Sequence, residues 1–348
     1  MLTTVIGAYP KPQYLNIPDW FRSVEGTDNA TPTKDWLQAV ESLGNEAEEI
    51  ICRACKEVIE EQTKVGINIP TDGEVRRENY IHYHCRHLNG IDFNNLTKKS
   101  ARTGNYECWL PTITDKVSAG NSFLVREWKI AQSYTKNPVK VTIPGPMTIS
   151  DTIANTYYKD LKKMGVDLGE AINCEIKRLA EAGCKYIQVD EPLFARKPNE
   201  ATEYGIDNLE RCFYDCPKEI VKITHICCGY PDKLDAIDYP KAPLQSYMEL
   251  AAPLNDSIID EISIEDAHRH NQLNLFEKFS KKRIILGVIK IASSKLEIYD
   301  EVESRVKKVT EHIDRDRLIL APDCGLGFLS NQQCLDKLKV LTDVAKDF

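Results

Sequence analysis

Short apolar runs alternate with longer amphipathic stretches along the whole chain. The runs are rich in valine and isoleucine, and continuous apolar runs of this length are typical of strands buried on both faces of a sheet. They lie at Thr3–Ile6, Gly66–Pro70, Val139–Ile143, Tyr186–Val189, Lys222–Thr224, Ser257–Ile264, Arg283–Val288 and Leu318–Ala321. The pattern therefore predicts eight buried strands.

Helical periodicity fills several of the stretches between these runs. Apolar residues recur every three or four positions, as in amphipathic helices, within Ala47–Val58, Leu168–Leu179, Val302–Ile313 and Leu335–Leu341. Gly66 and Gly183 lie just beyond two of these stretches, where a glycine C-cap is expected.

Eight strands alternating with helices predict an α/β fold of the (β/α)8 TIM barrel type, as a single domain over residues 1–348. The extra length falls at about residues 80–136, where periodicity is weak, and we expect a long excursion that covers the barrel mouth. Within it, Ile81–His87 alternates as a half-exposed segment does. A doubly wound sheet is the competing fold, but no Gly-x-Gly-x-x-Gly turn follows the first strand.

The composition narrows the classes of partner. The chain is 42% hydrophobic and 28% charged with a formal net charge of −8, which is typical of a globular protein. Its acidic balance and the lack of a long apolar segment argue against nucleic acid or a membrane as partner. Twelve cysteines in a long chain without a recognisable secretory signal are typical of reduced thiols, so we expect a cytoplasmic location.

Ionisable and thiol side chains follow the predicted strands, at the end where a barrel carries its active site. These residues are Asp72, Glu74, Asp190, Glu191, His225, Cys227, Glu265, Lys290, Asp323 and Cys324. Four of them, His225, Cys227, Glu265 and Cys324, form a predicted zinc site, since imidazole, thiolate and carboxylate are ordinary zinc ligands. His225 and Cys227 can share one ion only if the strand ends there, which Gly229 favours.

Motifs over nearly the whole chain resemble those of the catalytic half of cobalamin-independent methionine synthase, in the methionine synthase/uroporphyrinogen decarboxylase-like barrel superfamily. The motifs are Thr4–Pro10, Asp72–Glu74, Pro144–Ile149, Gln188–Pro192, Thr224–Cys227, Ile262–Glu265 and Pro322–Leu326. The resemblance implies a short form with the catalytic barrel only, and a zinc-dependent methyltransferase that converts homocysteine to methionine.

The resemblance also assigns roles to residues. His225, Cys227, Glu265 and Cys324 would bind zinc. The backbone of Ile6, Gly7 and Ala8 would hold homocysteine, with Glu74 and Asp190 on its ammonium group. Glu265 and Asp190 would act in catalysis, Asp190 by orienting the substrate and Glu265 by releasing the ion as the thiol binds.

Three positions depart from the family pattern on the side of the methyl donor. Thr152 stands where a tryptophan stacks on the pterin, Ala292 stands where a histidine assists proton delivery, and Arg196–Lys197 replaces an acidic folate contact. We therefore expect a methylcorrinoid donor, either methylcobalamin or a corrinoid protein, rather than folate polyglutamate. The alternatives are methyltetrahydrofolate, alkylation of another thiol as in coenzyme M-type epoxide opening, and a decarboxylase-like barrel without metal.

Overall fold

The computed structural model of the chain describes residues 1–19, 32–101, 106–231, 233–236 and 239–348. Its strands are β1 (Leu2–Thr3), β2 (Leu88–Ala101), β3 (Tyr106–Ala119), β4 (Lys140–Pro144), β5 (Ala154–Asn155), β6 (Tyr186–Asp190), β7 (Val221–Ile226), β8 (Glu261–Ile264), β9 (Arg283–Ile289) and β10 (Leu318–Pro322). Its helices are α1 (Pro32–Ser42), α2 (Ala47–Val65), α3 (Tyr80–Cys85), α4 (Leu124–Gln132), α5 (Pro146–Thr152), α6 (Leu161–Glu181), α7 (Leu193–Arg196), α8 (Pro198–Glu200), α9 (Ile206–Cys212), α10 (Ser246–Asp256), α11 (Asn274–Lys278), α12 (Tyr299–Val309) and α13 (Asn331–Asp347).

Seven strands form one parallel sheet in the order β1-β10-β9-β8-β7-β6-β4. The segment at residues 67–71 joins the two edges of this sheet by single parallel bridges, Thr4 to Ile69 and Thr71 to Lys140. The predicted α/β architecture with buried parallel strands is therefore confirmed. The four predicted amphipathic stretches fall within or overlap α2, α6, α12 and α13.

Apolar side chains cover both faces of the sheet. The larger core cluster packs between the strands and the helices. A smaller cluster contains Ile223, Ile285 and Ile319 from three different strands, together with Ile6 and Ala321. Because successive residues of a strand point to opposite faces, these side chains lie on the face opposite their neighbours Ile284 and Leu320. Burial on both faces explains why the strands have continuous apolar sequences.

Gln62 of α2 supplies backbone hydrogen bonds at the end of the second predicted strand. Its side chain is fully buried and forms both backbone hydrogen bonds of Thr71. The Nε2 group donates to the Thr71 carbonyl at 3.0 Å, and Oε1 accepts from the Thr71 amide at 3.0 Å. Pro70 has no amide hydrogen to donate. A side chain thus supplies part of the pairing that a neighbouring strand would otherwise give.

The excursion at residues 80–136 contains α3, an antiparallel hairpin of β2 and β3, and α4. The hairpin is tied to the rest of the chain through Tyr158, whose hydroxyl accepts from the Val117 amide at 2.8 Å and donates to Asp167 at 2.8 Å. The half-exposed interpretation of Ile81–His87 was wrong for its helical part, because the side chains of His82 and His84 are buried. The expected position of this excursion over the barrel mouth stays a prediction.

Among the described residues, no helix combines the length and the apolar character needed to cross a membrane.

Replacing Gln62 by leucine is expected to lower the free energy of unfolding by about 2–4 kcal/mol, because both backbone groups of Thr71 lose their buried partner. Urea denaturation measures the change. Gln332→Leu, at an exposed position of α13, is the matched control and should change stability by less than about 0.5 kcal/mol. A loss below about 1 kcal/mol in Gln62→Leu would contradict this account of the segment.

Candidate metal centre and active site

The carboxyl ends of the central strands meet at one edge of the sheet and carry polar side chains there. Asp190, at the end of β6, pairs in register with His225 of β7, which pairs with Ser263 of β8. Cys324 follows the end of β10. Parallel pairing places these positions side by side although they are far apart in sequence, so one site is built from several strands.

Three of the four predicted zinc ligands come together. One ligand atom each of His225, Cys227 and Cys324 lies within 4.8 Å of the others. The His225 Nε2 atom is 3.4 Å from the Cys324 Sγ atom. The turn expected after His225 is present, since β7 ends at Ile226 and Gly229 has a φ of 156°. Within the described part of the chain, no other group of this kind is found.

The pKa values of the two thiols of this group are shifted in opposite directions. The pKa of Cys227 lies well below its usual value because Cys324 donates a hydrogen bond to it and because His225 lies beside it. The same hydrogen bond and burial raise the pKa of Cys324 well above its usual value. A thiol that accepts a hydrogen bond from a neighbouring thiol is the more easily ionised of the two. A divalent cation bound between them would stabilise both sulfurs as thiolates.

Ser263 holds the imidazole of His225 in place. The Ser263 Oγ atom lies 2.9 Å from the Nδ1 atom, on the side of the ring away from the thiols. This contact leaves Nε2 directed toward the sulfurs, which is the common arrangement of a histidine that binds metal. The sequence did not indicate Ser263 as a partner, since the contact depends on the register between β7 and β8.

Glu265 lies near the three ligands but outside their group. Its carboxylate accepts a hydrogen bond from Lys241 at 2.8 Å, and its backbone amide donates to the Tyr247 hydroxyl at 3.1 Å. Burial raises the pKa of Glu265 to about 8, and the charge of Cys227 adds to the rise. Lys241 was not foreseen, and it gives Glu265 an alternative partner to a metal ion. The role of Glu265 as a ligand stays a prediction.

Asp323 connects the segments that carry Glu265 and Cys324. Its buried carboxylate accepts from the backbone amides of Asp266, Ala267 and His268 at 2.8–2.9 Å, and from the His268 ring at 2.6 Å. The donating residues directly follow Glu265 in the chain, and Asp323 directly precedes Cys324. The hydrogen bonds therefore fix these two segments relative to each other.

The side chain of a histidine from another loop lies beside Ala292, which itself cannot transfer a proton. His268 reaches this position from the loop after β8, and its Nε2 atom accepts from the Ala292 amide at 3.2 Å. Its Nδ1 atom is held by Asp323. Both ring nitrogens are therefore engaged, and the imidazole has no spare proton to donate.

Glu74 is held beside Gly7. The Glu74 Oε1 atom accepts from the Thr142 hydroxyl at 2.7 Å and from Arg77 at 3.1 Å. A Cβ atom on Gly7 would lie 2.6 Å from the same oxygen, so only glycine allows this approach. Glu74 itself has a φ of 57°, which is uncommon for a residue with a side chain. Arg77 is itself buried in this site.

Asp190 lies close enough to Glu74 for the two charges to interact. Burial raises the pKa of Asp190 to about 7, with the His225 charge opposing the rise and the Glu74 charge adding to it. Two buried carboxylates in one site form a negative region that favours a cationic group. Tyr80 of α3 lies within electrostatic range of Asp190, Cys227 and Cys324, and the sequence did not indicate it.

The backbone at residues 6–8 is fixed by three elements. The carbonyl of Ile6 accepts from Gln188 at 2.8 Å, that of Gly7 from Thr71 at 2.8 Å, and that of Ala8 from the Leu326 amide at 2.8 Å. The predicted substrate-binding backbone is thus rigid.

Comparison with known proteins gives one consistent result. The family described as "Cobalamin-independent synthase, Catalytic domain" matches residues 1–347. The methionine synthase of Sulfolobus acidocaldarius is 31% identical over 340 residues, which are 97% of this chain and 88% of that protein. The methionine synthase of Saccharolobus solfataricus is 30% identical over 350 residues, which are 99% of this chain and 93% of that protein. A solved structure of a B12-independent methionine synthase from Shewanella sp. W3-18-1, in complex with selenomethionine, has a TM-score of 0.84 and 29% identity, and the match covers 99% of this chain and 96% of that one.

Proposed function

The chain belongs to the cobalamin-independent methionine synthase family, and from this we propose that it transfers a methyl group to the thiol of homocysteine and forms methionine. The observation that carries the proposal is the group of His225, Cys227 and Cys324 at the same sheet edge as two buried carboxylates. A soft cation site suits the thiol of homocysteine, and a negative site suits its ammonium group.

We also infer that the sheet closes into an eight-stranded barrel with residues 67–71 as the eighth strand. The bridges from Ile69 to Thr4 and from Thr71 to Lys140 support this closure. The match of the family over residues 1–347 supports one catalytic unit. The free cysteines among the described residues suit a cytoplasmic location.

The residues present fit zinc as the cofactor. One imidazole nitrogen and two cysteine sulfurs are a usual donor set for zinc. His225, Cys227 and Cys324 would hold the ion, and Glu265 would be the fourth ligand after separation from Lys241. When bound, zinc supplies Lewis-acid activation, so that the thiol of the substrate is present as a thiolate at neutral pH.

The chain's own residues orient the substrate. Glu74 and Asp190 would bind the ammonium group, and the fixed backbone at residues 6–8 would position the amino-acid end. Transfer forms a bond between the homocysteine sulfur and the methyl carbon. The bond between that carbon and the donor breaks, and the donor keeps the electron pair.

The methyl donor is proposed to be a methylcorrinoid. A corrinoid that loses its methyl group keeps the electron pair on cobalt and needs no proton, whereas the leaving nitrogen of a folate must be protonated. Ala292 cannot supply that proton, and both ring nitrogens of His268 are engaged. Methyltetrahydrofolate is the second candidate for the methyl donor, and the family description "Cobalamin-independent synthase" favours it. The two carboxylates argue against an anionic thiol such as coenzyme M.

The metal site is tested by measuring the zinc content of the purified protein by mass spectrometry. We expect about one zinc per chain in the wild type and much less in Cys324→Ser, which loses a ligand. Cys174→Ser, at an exposed cysteine outside the group, is the matched control and should retain zinc. Less than about 0.2 zinc per chain in the wild type would refute the metal site.

The ammonium site predicts a dependence of homocysteine binding on pH. The pKa of Asp190 is raised to about 7, so its carboxylate is protonated below that pH and ionised above it. Affinity measured by calorimetry should therefore increase from pH 6 to pH 8. At pH 8, Asp190→Asn should bind about 10- to 100-fold more weakly, and the difference should shrink toward pH 6. Asp343→Asn, on the exposed part of α13, is the control. Equal affinities of wild type and Asp190→Asn at pH 8 would contradict the assignment.

The donor is tested by supplying the zinc-loaded protein with homocysteine and either methylcobalamin or methyltetrahydrofolate. Methionine should form at least about tenfold faster with methylcobalamin. The Cys324→Ser protein corrects for the uncatalysed reaction of thiol with methylcobalamin. Turnover that is faster with methyltetrahydrofolate would overturn the preference for a corrinoid and leave the methyl transfer to homocysteine in place.

A further inference from the structure

Two buried polar side chains, Lys140 and Gln188, lie on the sheet next to Asp190. Lys140 of β4 is 1% exposed, and Gln188 of β6 is fully buried. The Lys140 Nζ atom donates to the Gln188 Oε1 atom at 2.6 Å. Gln188 and Asp190 are two residues apart in one strand, so their side chains lie on the same face of the sheet.

The lysine fixes which way the Gln188 amide points. A lysine ammonium only donates hydrogen bonds, so the Gln188 oxygen must face it. The Gln188 NH2 group is then directed away from Lys140. It donates to the Asp190 Oδ1 atom at 2.7 Å and to the Ile6 carbonyl at 2.8 Å. The direction of every hydrogen bond from Lys140 to Asp190 and Ile6 is therefore determined.

We propose that Lys140 and Gln188 are positioning residues that hold Asp190 and the Ile6 backbone in place for the ammonium end of an amino-acid thiol. The inference rests on the proposed function, in which these two groups bind homocysteine. Gln188 links a side chain of β6 to the backbone segment that follows β1. A change in its amide orientation would release both contacts at once.

The cost of burying a lysine supports a role beyond stability. A buried ammonium loses its hydration, and its hydrogen bond to the neutral Gln188 amide offsets only part of that cost. The positive charge of Lys140 also opposes the rise in the pKa of Asp190 that burial causes. Asp190 and Glu261 are the acidic groups that face Lys140. The charge thus favours the ionised form of Asp190 that an ammonium group needs.

Two variants test the proposal by different routes. Lys140→Met removes the donor that orients Gln188. Gln188→Glu keeps an acceptor for Lys140 but, as an ionised carboxylate, has no hydrogen to donate to Asp190 or to the Ile6 carbonyl. The substrates are homocysteine and 4-mercaptobutyrate, which has the same thiol without the amino group. Zinc-loaded full-length protein is used, and substrate affinities are measured by calorimetry beside the steady-state rates.

In both variants, kcat/KM for homocysteine should fall about 10- to 100-fold, mainly through KM. The value for 4-mercaptobutyrate and the zinc content should not change, and the melting temperature should stay within about 5 °C. Lys282→Met is the matched control, because Lys282 is also buried but donates to the Ser257 carbonyl and has no contact with Gln188. It should leave KM for both thiols unchanged.

Equal losses for both thiols, or no loss for homocysteine, would overturn the positioning role. If Lys140→Met does not fold, Gln188→Glu decides by the same criteria. A wild type that does not methylate homocysteine would overturn the proposed function, and this inference with it. The two failures are distinguishable, since the first appears only in the variants and the second in the wild type.

Discussion

Two thiolates beside one imidazole repel each other unless a cation joins them, and this constraint defines the site. The hydrogen bond between the two thiols lowers the pKa of Cys227 and raises that of Cys324. The fixed ring of His225 adds a third donor on the same side. The group is therefore prepared for a soft divalent ion, and the chemistry proposed for the chain depends on that preparation.

Two regions of the site, a group of sulfur donors and a pair of carboxylates, lie along one edge of the sheet. In the proposed function the sulfur donors would hold a metal ion, whereas Glu74 and Asp190 would bind an ammonium group. Each carboxylate is held by buried partners, Arg77 and Thr142 for Glu74 and Gln188 for Asp190. A substrate that carries a thiol and an ammonium group would match both regions. This pairing favours an amino-acid thiol over other thiols.

Much of the fold and of the site could be predicted from the sequence because both follow from patterns within single segments. Runs of valine and isoleucine mark buried parallel strands, and His225, Cys227 and Cys324 stand where such strands end. Contacts between segments could not be predicted. Ser263 and Lys241 depend on register and loop path, and the hairpin of β2 and β3 has no clear alternation. The second predicted strand is present only as single bridges, and the hydrogen bonds of Gln62 to Thr71 beside it could not be predicted.

The most direct test of the central claim is X-ray absorption at the zinc edge of the zinc-loaded protein. The account predicts two sulfur ligands at about 2.3 Å together with nitrogen or oxygen ligands at about 2.0–2.2 Å. A spectrum with no sulfur ligand, or with only one, would show that Cys227 and Cys324 do not share the ion.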